Sequence, residues 1–176
     1  KFTIGCSGTL EFMITPNNYS SATQTGDDYD WALWNSSTTS CPTTANTTFD
    51  AVACNWSGCV GTTGLASNPT TSFGTAANTN YQANNPAGPG TCVPGGGLPF
   101  QWANTINVVA GETYSLLIDN YTTSNSGFSF QFGGTAVIGP SADFTYVATG
   151  CNAYNFTKTC QVTNSTFLWT FGDGST

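Results

Sequence analysis

Residues 111–134 read GETYSLLIDNYTTSNSGFSFQFGG, and their pattern decides the fold class. Tyr114, Leu116 and Ile118 alternate with Ser115, Leu117 and Asp119. Phe128, Phe130 and Phe132 alternate with Ser129 and Gln131. A period of two puts each apolar set on one face of a strand. Between the runs, Ser124-Asn125-Ser126-Gly127 has the small polar residues of a turn. The same alternation recurs upstream. Leu10, Phe12 and Ile14 alternate with Glu11, Met13 and Thr15, and Tyr29, Trp31 and Leu33 with Asp30, Ala32 and Trp34. No segment sustains a helical period, and the abundant Thr and Asn are poor helix formers. The prediction is an all-β protein of antiparallel strands, each burying one face.

At 176 residues the chain is long enough for one sandwich with a sizeable core and part of a second. Pro16-Asn17-Asn18 and Ala110-Gly111-Glu112 read as loops, and residues 84–99, NNPAGPGTCVPGGGLP, as a surface loop pinned by Cys92. Gly139-Pro140 is the clearest boundary. It separates a first domain, 1–139, from the strand that starts near Phe144 in 140–176. The strand-like opening Lys1-Phe2-Thr3-Ile4 predicts a chain cut from a longer parent. So does the end: Phe167, Trp169 and Phe171 alternate with Leu168, Thr170 and Gly172 and run into a turn with nothing after it. That aromatic face needs either downstream residues or a neighbouring subunit, and is the expected subunit contact.

Charge narrows the function. Charged residues are only 6% of the chain, against roughly 25% in ordinary soluble domains. Net charge is −7, and Lys1 and Lys158 are the only basic residues. Nucleic-acid binding lacks its cations, and so does attraction to an anionic membrane. No apolar run is long enough to insert in a bilayer. The chain has neither His nor Arg. Ser and Cys nucleophiles usually lean on a His, and phosphoryl transfer on a Lys or Arg clamp. A carboxylate pair for glycoside hydrolysis has no recognisable groove in the sequence. The expectation is a protein that is not an enzyme.

The seven cysteines are Cys6, Cys41, Cys54, Cys59, Cys92, Cys151 and Cys160. Without His and without a Cys-x-x-Cys pair, zinc is a poor reading. Disulfides in an oxidising, extracellular setting are the better one. Cys151 and Cys160 bracket a short loop; Cys41 with Cys54 and Cys59 with Cys92 are the other expected pairs, leaving Cys6 over. The run Asp27-Asp28-Tyr29-Asp30 places three carboxylates in four residues. Tyr29 and Trp31 take the core face, so Asp28 and Asp30 share the other, and Asp119 ends its own strand facing away from the core. With no Arg to neutralise them, Asp28, Asp30 and Asp119 are the candidate calcium ligands; the alternative is a solvated acidic turn. Seven Asn-x-Ser/Thr sequons begin at Asn18, Asn35, Asn46, Asn55, Asn120, Asn155 and Asn164, a mild excess over chance. Trp34, Trp56 and Trp102 fall in or near loops, either as stacking platforms for sugars or as rim packing of a sandwich.

Two resemblances follow from longer stretches. Ala142-Asp143-Phe144, Cys151, residues 162–166 (VTNST) and residues 169–175 (WTFGDGS) resemble the first half of a PKD-type (polycystic kidney disease) Ig-like domain. Residues 8–12 (GTLEF), 28–34 (DYDWALW), 54–57 (CNWS), 109–121 (VAGETYSLLIDNY) and 127–136 (GFSFQFGGTA) resemble a domain common in secreted multidomain surface proteins of Bacteroidota. Those proteins often carry PKD-type modules and type IX secretion signals. The resemblance implies a jelly-roll-like β-sandwich, similar to pre-peptidase C-terminal domains, with a strand preceding Lys1. It implies surface display and no catalysis.

The sequence therefore predicts an extracellular structural or adhesion module of a bacterial cell-surface or filament-forming protein. Its expected partners are further copies of itself, other domains of the same polypeptide, or surface glycans. The alternative is a carbohydrate-binding module of a secreted hydrolase.

Overall fold

The computed structural model describes residues 1–23, 25–38, 51–74, 101–139, 144–150 and 153–158. Within them the regular secondary structure is nearly all strand, as the alternation predicts. One sheet contains β1 (Phe2–Cys6), β3 (Tyr29–Asn35), β4 (Ala53–Asn55), β8 (Thr113–Asn120) and β10 (Val137–Ile138), in the order β10-β1-β8-β3-β4. The other contains β2 (Gly8–Pro16), β5 (Thr63–Leu65), β6 (Trp102–Ala103), β7 (Ile106–Val108) and β9 (Phe128–Gly134). There β2 is central. Its Phe12 pairs with Leu65 of β5 on one edge and with Phe132 of β9 on the other. Its Leu10 likewise pairs with Ile106 of β7 and Gly134 of β9. Among the described residues all strand pairings are antiparallel except β5 with β6.

The alternating runs at 114–119 and 128–132 do not form a hairpin. β8 belongs to the first sheet and β9 to the second, so residues 121–127 carry the chain from one sheet to the other. The reason is that both apolar faces point into one core, which two facing sheets can enclose and one hairpin cannot. Leu10, Phe12, Ile14 and Leu65 from one sheet and Ile4, Tyr29, Trp31, Leu33 and Tyr114 from the other form a single buried cluster. Each fully buried Leu, Ile or Phe contributes about 1.5–3 kcal/mol. An aromatic seam crosses the interface. Phe12 packs edge-on to Trp31 at 4.8 Å and stacks on Phe130 at 5.4 Å. Phe2 meets Phe132 at 5.0 Å, and Tyr29 meets Phe128 at 5.2 Å.

Two elements depart from the expected buried-face, open-face alternation. Met13, on the outer face of β2, is buried with Ala66 and Trp102 beneath Phe73. Phe73 ends a short helix, α1 (Pro69–Phe73), which the absence of helical periodicity did not predict. Its local signal is Asn68-Pro69: the Asn68 side chain accepts from Thr71 N at 3.1 Å, and Pro69 pre-sets the first helical turn. On the outer face of the first sheet, Ala32, Trp34, Ala51 and Cys54 form a third buried cluster.

Past the proposed boundary, β11 (Phe144–Gly150) and β12 (Ala153–Lys158) pair antiparallel as a two-stranded sheet of their own.

Candidate functional site

The pleat splits the acidic run. Asp27 is buried and saturated with donors. The hydroxyls of Ser124 and Ser126 donate to its Oδ2, Asn120 Nδ2 lies 3.5 Å from the same oxygen, and Asn18 Nδ2 donates to Oδ1 at 2.8 Å. Ser124 above all, then Ser126 and Asn18, hold this carboxyl down to about 2. Asn120 Nδ2 also lies 3.2 Å from both Tyr29 Oη and Ser124 O. The cluster ties the loop before β3 to the loop between β8 and β9. The sequence groups Asp27 with Asp28 and Asp30 by charge and leaves it out of the calcium set; the signal for its actual partners is the pair of serines in the turn at 124–126.

Asp28 and Asp30 take the opposite face, as expected. Asp28 is buried, and its Oδ1 has no hydrogen-bond partner. Burial, with Asp30 nearby, pushes its carboxyl up to about 6. Asp30 stands directly across from Asp119 in the β3–β8 pairing. Burial, then the Asp119 charge, raises the Asp30 carboxyl as well. Asp119 itself is exposed. The three candidate calcium ligands are thus neighbours at one end of the first sheet. Among the described residues, however, no three Asp, Glu, Cys or His side chains come together closely enough to hold a metal ion.

A second carboxylate is spent on the fold. Glu112 accepts from Asn35 Nδ2 at 2.9 Å, from Val109 N at 2.8 Å and from Tyr114 Oη at 2.8 Å. Burial works to raise its carboxyl, but these donors outweigh it and the net shift is downward.

The sequons divide by exposure. Asn35 and Asn55 are buried; Asn35 serves Glu112, and Asn55 Oδ1 accepts from Ser57 N at 3.0 Å. Asn18 and Asn120 are engaged around Asp27. Asn155 is exposed on β12. Asn46 and Asn164 lie outside the described residues, as do Cys41, Cys92, Cys151, Cys160, Phe167, Trp169 and Phe171. Cys6 and Cys54 are each in a disulfide. The disulfide at Cys6 differs from the expected set, which left Cys6 over; Cys6 ends β1 and is buried. Of the three tryptophans considered as sugar platforms, Trp34 and Trp102 are buried and Trp56 is half-buried.

No family model, curated protein or solved structure matches this chain.

The β11–β12 ribbon is the described surface richest in exposed apolar side chains. Tyr146, Val147 and Tyr154 are 65%, 64% and 53% exposed. The pairing sets Tyr146 opposite Phe156 and Ala148 opposite Tyr154, so the aromatic residues share one face. Tyr146 and Tyr154 meet edge-on at 6.1 Å. Val147 and Asn155 pair on the other face. A two-stranded ribbon is marginal in water on its own, and clustered exposed aromatics mark surfaces that meet another protein.

Proposed function

We propose that this chain is a non-enzymatic, extracellular structural or adhesion module that associates through the β11–β12 ribbon. The exposure of Tyr146, Val147 and Tyr154 on that ribbon carries the reading. The disulfides at Cys6 and Cys54 support an oxidising compartment. The resemblance of residues 142–175 to a PKD-type domain and of the preceding residues to Bacteroidota surface proteins supports surface display. Asp27 and Glu112 fit the same picture, since both carboxylates are saturated by donors that brace loops.

The carbohydrate-binding alternative needs aromatic faces in solvent, and two of its three named platforms, Trp34 and Trp102, are buried. The test is negative-stain electron microscopy and light scattering of the protein and of a Tyr146→Ser/Tyr154→Ser variant. The expected result is assemblies for the parent that shrink or vanish in the variant. Identical single particles for both would overturn the reading. Glycan-array binding that disappears on Trp56→Ala would replace it with the carbohydrate module.

A further inference from the structure

We propose that β9 is a strand-addition edge at which two copies of this chain pair, antiparallel about a two-fold axis, so that one sheet runs through both sandwiches. The other outer strands of the sandwich are short: β4 and β7 have three residues each, β6 and β10 two. Short edges are one way natural sheets avoid pairing with a neighbour. β9 has seven residues, and its own sequence and register lack the charge, proline or bulge that blunt an edge. It contains no charged residue and no proline. Its register with β2 runs unbroken from Leu10–Gly134 to Pro16–Phe128, with no bulge to twist the edge away. Among the described residues it pairs with β2 alone. Phe128 and Phe132 remain 40% and 38% exposed at the mouth of the sandwich.

The sequence of β9 says which partner fits. FSFQF, residues 128–132, is symmetric in pattern about Phe130. An antiparallel copy centred there sets Phe128 against Phe132, Phe130 against itself and Ser129 against Gln131. The three aromatic pairs fall on the inner face, where Phe130 already stacks on Phe12 and Phe132 packs on Phe2. Aromatic cross-strand pairs of this kind are stabilising. The net charge of −7 would oppose self-association elsewhere, but β9 carries none of it. A second copy therefore offers both a backbone partner to the edge that β9 leaves open among the described residues and the matching aromatic face. This pairing involves β9 alone and does not need the ribbon.

The test is sedimentation velocity of the full chain over a concentration series, with hydrogen exchange on the same samples. The expected result is a dimer that grows with concentration, while slowed exchange appears at alternate amides of residues 128–134. Gln131 is exposed on the outer face, so Gln131→Lys should keep the fold, checked by circular dichroism, and weaken dimerisation at least tenfold. Tyr146→Ser should leave this dimer intact, which separates it from ribbon-mediated assembly. A chain that stays monomeric throughout overturns the proposal. So does a dimer whose β9 amides exchange as in the monomer.

Discussion

Asn18 and Asp27 grip each other at two points. Asn18 Nδ2 donates to Asp27 Oδ1 at 2.8 Å, and Asp27 N donates to Asn18 Oδ1 at 3.0 Å. With Ser124 and Ser126 on the other carboxylate oxygen, this clasp closes one end of the sandwich. Asp27→Ala strands four donors and should lower Tm by several degrees. The pH dependence has a definite sign. In the folded chain Asp27 titrates near 2, below its ordinary 3.8. Its contribution is present above about pH 4 and is lost as pH falls toward about 2. Asp27→Asn should flatten that acid limb of a Tm-against-pH curve; an unchanged limb would assign it to other carboxyls.

Asp28 acts in the opposite direction. Its folded carboxyl titrates near 6, above its ordinary 3.8, so the folded state holds the proton more tightly than the unfolded one. Stability therefore declines as pH rises from about 4 to about 6. Asp28→Asn removes the titrating group and keeps its shape. The expected outcome is a variant that matches the parent near pH 4 and melts higher than the parent at pH 7. A variant less stable at pH 7 would mean that the ionised Asp28 has a partner.

The Asp30–Asp119 pair discriminates between repulsion and a bound cation. Like charges directly opposite in a sheet destabilise it, by about 0.2–1 kcal/mol on the scale of cross-strand pairs. Without a cation, Asp119→Asn should raise Tm slightly, and a chelator should change nothing. If calcium bridges Asp28, Asp30 and Asp119, the signs reverse: chelator lowers Tm, Asp119→Asn does the same, and calorimetric titration of calcium gives heat.

Gly64 shows how closely the second sheet packs. Its φ of +155° is unfavourable for a residue with a side chain, and an added Cβ would run into the carbonyl oxygen of Phe12 and approach Trp102 Cζ3 at 2.9 Å. Both neighbours are fully buried and have nowhere to move. Gly64→Ala should therefore cost far more than the few tenths of a kcal/mol of a surface substitution. Chemical denaturation is the measurement, and a midpoint close to the parent's would show that β5 shifts freely.

What was legible in the sequence was periodicity. Phe12, Tyr29, Trp31, Tyr114 and Phe130 were placed on core faces by alternation alone, and all lie in or against the central cluster. Pairing was not legible, because alternation states which face a residue takes but not which strand lies beside it; hence β8 and β9 in different sheets. The short strands β4 and β5 carry too few residues to show a period. α1 is a single turn, announced only by its cap. In the sequence the acidic run stands out for its charge density. The fold used it by direction instead: Asp27 turns toward the donors of the loop at 124–126, while Asp28 and Asp30 face the other way.

The sequons differ in whether the fold leaves them able to carry a glycan. Carrying a glycan requires the asparagine Nδ2 to point into solvent with room beyond it. Asn35 Nδ2 is bound to Glu112, Asn18 Nδ2 to Asp27, and Asn120 Nδ2 sits among Asp27, Tyr29 and Ser124. Asn55 is buried in β4. A glycan on any of these would have to break the contact or open the sheet, so the folded chain should not carry one there. Asn155 faces solvent on the Val147 side of the ribbon, away from the tyrosines. Expression in a host that modifies Asn-x-Ser/Thr should give glycopeptides containing Asn155, with the peptides containing Asn35 and Asn55 bare by mass spectrometry. Because the aromatic face lies on the other side, Asn155→Gln should remove the sugar without altering assembly. Folded protein fully occupied at Asn55 would show that β4 is not held as this structure has it.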